Sequence, residues 1–243
     1  MAGIYVDFDE SIPRYGCTHC SNCNSLFGTS LCKVKNRGCC FYFPKFTLVD
    51  IHNMCQSMEG LQVLFKIIIN PGTEIYRYYI HAKGYFDEKG YNKYISEKHY
   101  TIDGYVNSCF INYMNELSSV ERLHEIQDQT IFFRSCAFVK EGYGCTIPSK
   151  YRTYICNLFL CSEVVDSIKH FKSYENYTKE RDSYMRWLNW ENKNLKHLLR
   201  DNSLNLIDNL DHIIKLFQEL PLEVYEFPKL EPIESEENLS PNI

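Results

Sequence analysis

Six of the twelve cysteines fall between residues 17 and 40: Cys17-Thr-His-Cys20-Ser-Asn-Cys23, then Cys32, then the adjacent pair Cys39-Cys40. A second group, Cys136, Cys145, Cys156 and Cys161, follows much later in the chain. The first stretch carries Gly16, Gly28 and Gly38 with little periodicity, so it reads as a loop whose shape ligands would have to fix. A Cys-x-x-Cys turn brings two sulfurs within reach of one ion, and pairs distant in sequence complete a four-sulfur site. Two such turns overlap here, Cys17/Cys20 and Cys20/Cys23, a spacing that also suits an iron–sulfur cluster. Cys39 and Cys40 would point opposite ways in extended backbone, so one ligates while its neighbour serves a second ion or packs. Ten candidate thiolates exceed the need of one four-coordinate ion, which points to two sites or a multinuclear centre. His19, inside the first turn, has three roles open to it: substitute ligand, hydrogen-bond donor to a sulfur, or a solvent-exposed side chain.

Cysteine makes up twelve of 243 residues, far from the density of a short disulfide scaffold, and a chain of this length with 44% hydrophobic residues can build a core without staples. The N-terminus, Met1 to Glu10, has no basic segment followed by an apolar one, which predicts a cytoplasmic protein. The longest apolar run, Leu61 to Ile69, is interrupted by Gln62 and Lys66 and is too short for a membrane span. In a reducing compartment, clustered cysteines favour metal or redox chemistry over bridges.

The net charge of −5 offers nothing global to attract nucleic acid. Thiolate ligation would add further negative charge that cations must offset, and Lys33, Lys35, Arg37 and Lys45 stand where they could do so. The same four residues would otherwise form a solvated loop face. The aromatic residues around them read as core, which disfavours an RNA-binding patch.

Along the chain, residues 1–16 predict a short strand or extended lead-in ended by Pro13. Thr47-Leu-Val-Asp50 resembles a helix N-cap with an acid three residues on, and Leu48, Ile51, Met54 and Met58 give a helical stripe on which Cys55 packs. From Leu61 to Tyr85 the pattern reads as strands of a hairpin: Val63, Phe65, Ile67 and Ile69 alternate, Asn70-Pro-Gly72 marks the turn, and Ile75 to Ile80 is rich in tyrosine and isoleucine. His81 and His99 flank the tyrosine-rich segment as candidate ligands or acid–base groups, with a structural role the commoner fate of such histidines. Residues 103–127 read as mixed and mainly helical with Cys109 on an apolar face, and Thr130 to Phe133 as a strand delivering Cys136. Helices are expected over 162–174, 178–199 and 203–220, the last stopped by Pro221, with an acidic and mobile end from Pro228. The expected division is a cysteine-cluster domain over 1–161, a C-terminal helical segment over 162–221 packed on it, and a tail over 222–243. The fold class is α+β, a cysteine-rich metal-binding region with a small antiparallel sheet and a C-terminal helical segment.

No G-x-S-x-G elbow, glycine-rich phosphate loop or His-Glu-x-x-His helix is present, and nothing marks one thiol as a nucleophile. The segment Cys39-Cys40-Phe-Tyr-Phe-Pro-Lys-Phe-Thr-Leu-Val-Asp50-Ile51 resembles the YkgJ-like cysteine-cluster proteins, a zinc- or iron-chelating family known by its CxxCxxCC motif. Cys136-Ala-Phe-Val139, Gly144-Cys145-Thr-Ile147, Tyr151-Arg152 and Cys156-Asn-Leu-Phe159 are similar to that family's second half, so the likeness spans residues 17–161. The chain departs from the pattern at Asn24, which follows Cys23 where the double cysteine would stand, and at Thr153, where proline is usual. The resemblance implies Cys39, Cys40, Cys136, Cys145 and Cys156 as metal ligands, with Cys17, Cys20 and Cys23 beside them; Cys32 and Cys161 join by clustering alone. At Arg152 it leaves three roles open: orienting a thiolate, binding an anionic substrate, or a structural salt bridge. The family's cysteine pattern is also similar to that of flagellin lysine methylases, too thinly to carry methylation over.

Two functions follow as expectations. The first is a metal-binding protein with an iron–sulfur cluster or iron, and redox or protein-modifying chemistry open to it. The second is a non-enzymatic zinc-stabilised module that binds a protein partner. The sequence does not decide whether the chain is an enzyme; it disfavours membrane and nucleic-acid partners.

Overall fold

The computed structural model describes residues 3–18, 20, 25–100 and 126–234, less the side chains of 98–100. His19, Cys23, Cys109 and most of the stretch read as mixed and helical lie outside these residues, as does the side chain of His99. The elements begin with strands β1 (Gly3–Asp9), β2 (Ile12–Cys17) and β3 (Lys45–Thr47), then helices α1 (Leu48–Cys55) and α2 (Met58–Ile68). Strands β4 (Thr73–Tyr76), β5 (Tyr79–Ala82) and β6 (Tyr85–Phe86) lead to helix α3 (Glu88–Tyr100). After it come β7 (Arg134–Ser135), β8 (Val139–Lys140) and β9 (Gly144–Cys145). The C-terminal part holds α4 (Tyr154–Asn157), α5 (Ser162–Ile168), α6 (Tyr174–Asp201), α7 (Leu210–Glu219) and β10 (Ile233–Glu234). The fold is α+β, with small antiparallel sheets ordered β10-β1-β2, β3-β5-β4, β6-β7 and β8-β9. Among the described residues no helix is long and apolar enough to cross a membrane.

The chain forms two compact units, one from 1–21, 43–83 and 147–243, the other from 22–42 and 84–146. In the larger unit β1 and β2 form a hairpin in register from Ile4↔Cys17 to Asp9↔Ile12. Pro13 sits inside β2 rather than ending it. This is tolerated because β2 is an edge strand, where the missing N–H is not needed by a second neighbour. The far edge of β1 pairs with β10, Ile4 opposite Ile233. Ile4, Tyr15, Ile168, Tyr177, Tyr184, Phe227 and Ile233 form one buried cluster. The stretch expected to be mobile from Pro228 is therefore packed through Glu234: Ile233 is buried, and Tyr177 donates its hydroxyl to the Glu231 carbonyl at 2.9 Å.

Thr47 caps α1 as its sequence predicts. Its Oγ1 accepts the Asp50 N–H at 3.4 Å, and the Asp50 carboxylate accepts the Thr47 N–H at 2.7 Å. Residues 58–68 are helix, not strand. Ser57 caps α2 through the Gly60 N–H at 3.0 Å, and the buried residues Gly60, Val63, Leu64 and Ile67 follow the helical period. Gly60 is required by contact, since a Cβ there would lie 2.2 Å from the Met54 carbonyl oxygen. Asn70-Pro-Gly72 ends α2, and the β4–β5 hairpin turns instead at Arg77-Tyr78. Helices α6 and α7 pack on α1, with the Leu48 N–H bonded to Asn192 Oδ1 at 2.9 Å and His52 Nε2 to the Leu220 carbonyl at 2.6 Å. Helix α7 starts at Leu210 rather than near 203 because Ser203, at φ 56°, breaks the chain's helical path after α6.

In the smaller unit Leu26, Tyr94, Ile131, Phe132 and Phe133 make the buried cluster. Residues 129–133, expected as a strand, form a 3-10 turn, and only Arg134–Ser135 extend into β7. The turn seals the unit by accepting the Leu31 N–H at Phe132 O, 2.8 Å.

Candidate functional site

The described members of the ten-cysteine set divide between the units. Cys17, Cys20, Cys156 and Cys161 belong to the larger unit; Cys32, Cys39, Cys40, Cys136 and Cys145 belong to the smaller. All nine are free thiols, and Cys23 lies outside the described residues. Among the described residues no three His, Cys, Asp or Glu side chains stand together closely enough to hold a metal ion.

In the larger unit Cys17 ends β2, opposite Ile4, and Cys20 is exposed beyond it. Helix α4 packs against β2 and carries Cys156, whose sulfur lies 3.5 Å from Thr153 Oγ1. Cys161 stands at the N-terminal edge of α5, half-buried. Cys55 is 2% exposed on α1, and burial pushes its thiol up to about 12, so it is a neutral packing group. His52 is buried, and its pKa is lowered by that burial. His81 on β5 is likewise held below the usual imidazole range, by desolvation and by Lys45 and Lys83. Both favour the neutral ring and sit as structural histidines.

The smaller unit ties the two cysteine groups together through the backbone. The Cys136 N–H donates to the Cys40 carbonyl at 2.8 Å, so the segment after β7 is bonded to the Cys39-Cys40 turn. The Cys136 sulfur accepts the Phe138 N–H at 3.5 Å. Strand β8 follows at once and pairs with β9, Val139 opposite Cys145. Cys32 is fully buried, with Ser30 Oγ 3.2 Å from its sulfur.

Between these segments lies Arg37, 2% exposed. Its terminal nitrogens donate to the carbonyls of Phe27 (3.3 Å), Thr29 (2.8 Å), Ile131 (2.8 Å) and Gly38. Its Nε makes no hydrogen bond, and among the described residues no carboxylate pairs with it. Burial lowers its pKa, and the sulfurs of Cys32, Cys40 and Cys39 are the groups whose negative charge opposes that shift. Of the cations expected to offset thiolates, Arg37 is thus set among sulfurs of the smaller unit. Lys33 instead lies 4.0 Å from the Tyr85 ring centroid, and Lys45 belongs to the other unit, 5.9 Å from the Tyr79 ring centroid.

Sequence reasoning missed a cavity of about 300 Å³ in the larger unit, whose lining includes Arg152, Asn157, Tyr184 and Trp187. Only Arg152 carried a signal in the sequence. Compared with protein-family models, curated proteins and solved structures, the chain matches none of them.

Proposed function

We propose that this chain is a metal-binding protein whose thiolates hold iron, as an iron–sulfur cluster or as iron ions, with Cys39, Cys40, Cys136 and Cys145 of the smaller unit as principal donors. The observation that carries the proposal is Arg37. Taking a guanidinium out of water costs several kcal/mol unless an anion answers it. Here the groups placed to answer are the sulfurs of Cys32, Cys39 and Cys40. Thiolates gathered around one cation repel one another, and a soft metal relieves that repulsion. The donor type suits such a metal, five thiols beside a cation, and binding would have to draw them together, since among the described residues no three donors stand close enough to hold an ion. Cys17, Cys20, Cys156 and Cys161 of the larger unit are the donors for a further centre, in line with the resemblance to the cysteine-cluster family. A bound cluster would supply electron transfer; the setting is a reducing cytoplasm, with a protein as partner or substrate.

A second reading is zinc as a structural tie in a non-enzymatic module, for which four of the smaller unit's thiols would suffice as a closed site. Purification without air, followed by metal analysis, acid-labile sulfide and a visible spectrum, separates the two. Brown protein with sulfide supports the cluster; colourless protein with stoichiometric zinc supports the module; protein empty of both metals under these conditions refutes each. Cys145→Ser should lower metal content and speed proteolysis between residues 25 and 42, and unchanged occupancy would remove Cys145 from the site.

A further inference from the structure

The cavity in the larger unit, about 300 Å³, is at the small end of the range that takes small molecules. Its aromatic side is built by Tyr184, Trp187 and Tyr225. The rings of Tyr184 and Trp187 stack at 5.8 Å and 16°, and Tyr225 meets them at 5.2 and 5.6 Å. Two cations line it in different states. Lys150 is matched by Glu10 at 2.7 Å and Glu59 at 2.9 Å. Arg152 is anchored through Nε, which donates to the Ile147 carbonyl at 2.7 Å, while its two terminal nitrogens have neither hydrogen bond nor ion pair among the described residues. Among the described residues, the structural salt bridge that its sequence context allowed is not made.

Two further polar groups of the lining are unmet. Tyr184 is 6% exposed, and its hydroxyl has no hydrogen-bond partner among the described residues. Asn157 is 2% exposed, donates Nδ2 to the Ser149 carbonyl at 2.8 Å, and leaves Oδ1 unpaired. The Arg152 fork and the Tyr184 hydroxyl are donors with no protein acceptor among the described residues, which suits a ligand that brings acceptors, whereas Asn157 Oδ1 is a buried acceptor that a donor such as water would complete. Of the two carboxylates in the lining, Asp50 is engaged by the Thr47 N–H and hydroxyl at 2.7 and 2.8 Å, as part of the α1 cap, and Glu223 is exposed.

We propose that this cavity binds a small aromatic oxyanion, with its carboxylate or phosphate on the terminal nitrogens of Arg152 and its ring against Trp187 and Tyr225. A guanidinium held by Nε presents its two terminal nitrogens as a fork, the geometry that matches a planar oxyanion. The aromatic side supplies area and prefers stacked or edge-on rings. Tyr184 adds a hydroxyl donor. This site does not rest on the principal metal donors, since its lining lies within the larger unit and Cys39, Cys40, Cys136 and Cys145 lie in the smaller.

Calorimetric titration of the full chain with benzoate, phenyl phosphate and the neutral benzamide tests the assignment. At least one anion should bind saturably, with benzamide about tenfold weaker or more. Benzoate against phenyl phosphate then tells which head group the fork prefers. Arg152→Met should weaken the anion by about tenfold or more and leave benzamide unchanged. Arg152→Lys keeps a cation without the fork and should also bind more weakly, which retains the test if the methionine variant misfolds. Tyr184→Phe, which removes only a hydroxyl, should give a smaller loss. The proposal is overturned if neither anion binds, if benzamide binds as well as they do, or if the folded Arg152 variants bind like the parent.

Discussion

The largest fully buried side chains of the two units differ in kind. In the larger unit they are Tyr177, Phe46, Phe217, Ile4 and Leu48, and in the smaller they are Arg37 and Phe132. Tyr177 and Phe217 are buried among apolar neighbours whose removal from water is favourable in itself. Arg37 is costly to bury, and its terminal nitrogens are answered by backbone carbonyls from three stretches of chain, around residues 27–29, 38 and 131. One unit is held by hydrocarbon; the other is organised around a charge. A charge organises a core through the acceptors it draws to itself, and here those are backbone carbonyls.

The largest expected effect tests the hydrocarbon side. Phe217 is 0% exposed and lies 5.5 Å ring to ring from His52, so Phe217→Ala should cost about 3–5 kcal/mol. Hydrogen exchange in α1 and α7 would report it, and a cost below about 1 kcal/mol would mean that this core collapses around the gap. Arg37→Met tests the other side. It roughly preserves volume but strips four carbonyls of their donor, and about 3 kcal/mol should be lost from the smaller unit, with faster exchange at Leu31 and Cys136 and lower metal content. A neutral or stabilising outcome, which hydrophobic replacement of buried ions sometimes gives, breaks the contrast between the units.

The smallest effect is a pH slope. Burial raises the Asp50 carboxyl to about 6 from an ordinary 3.8, against the opposing bonds from Thr47. The folded chain therefore keeps this proton where the unfolded chain has released it. Asp50 contributes stability that is fully present below about pH 4 and lost as pH rises through about 6. Melting temperatures of the parent and Asp50→Asn between pH 4 and 7 should show that decline in the parent only. Parallel curves would mean that water reaches the carboxyl.

Parts of this fold were legible in the sequence because their signals are local. The Thr47/Asp50 cap and the stripe of Ile213, Ile214 and Phe217 need only neighbours a turn away, and both are helical as read. The run from Leu61 to Ile69 was misread because a short apolar stretch satisfies both periods. Alternation predicted Phe65 and Ile69 inside, whereas they are 49% and 77% exposed and Val63, Leu64 and Ile67 are buried. The Ser57 cap ahead of Glu59 was the signal that could have decided it. The end of the chain was misjudged for another reason: its acidic composition hid Phe227 and Ile233, which gain their value from β1 and Tyr15, over two hundred residues away in sequence.

For the candidate sites, the sequence by itself determined the chemistry available: dense thiols in two groups, cations near the first, and an arginine at 152 whose role it left open. Tertiary structure decided the grouping. It divided the cysteines between two units, joined Cys40 to Cys136 by a backbone bond, and chose Arg37 over Lys33 and Lys45 as the cation among the sulfurs. It also left the fork of Arg152 open beside Trp187 and Tyr225. The physical reason is that donor type is a property of a residue, whereas burial and pairing depend on segments that meet only when the chain has folded.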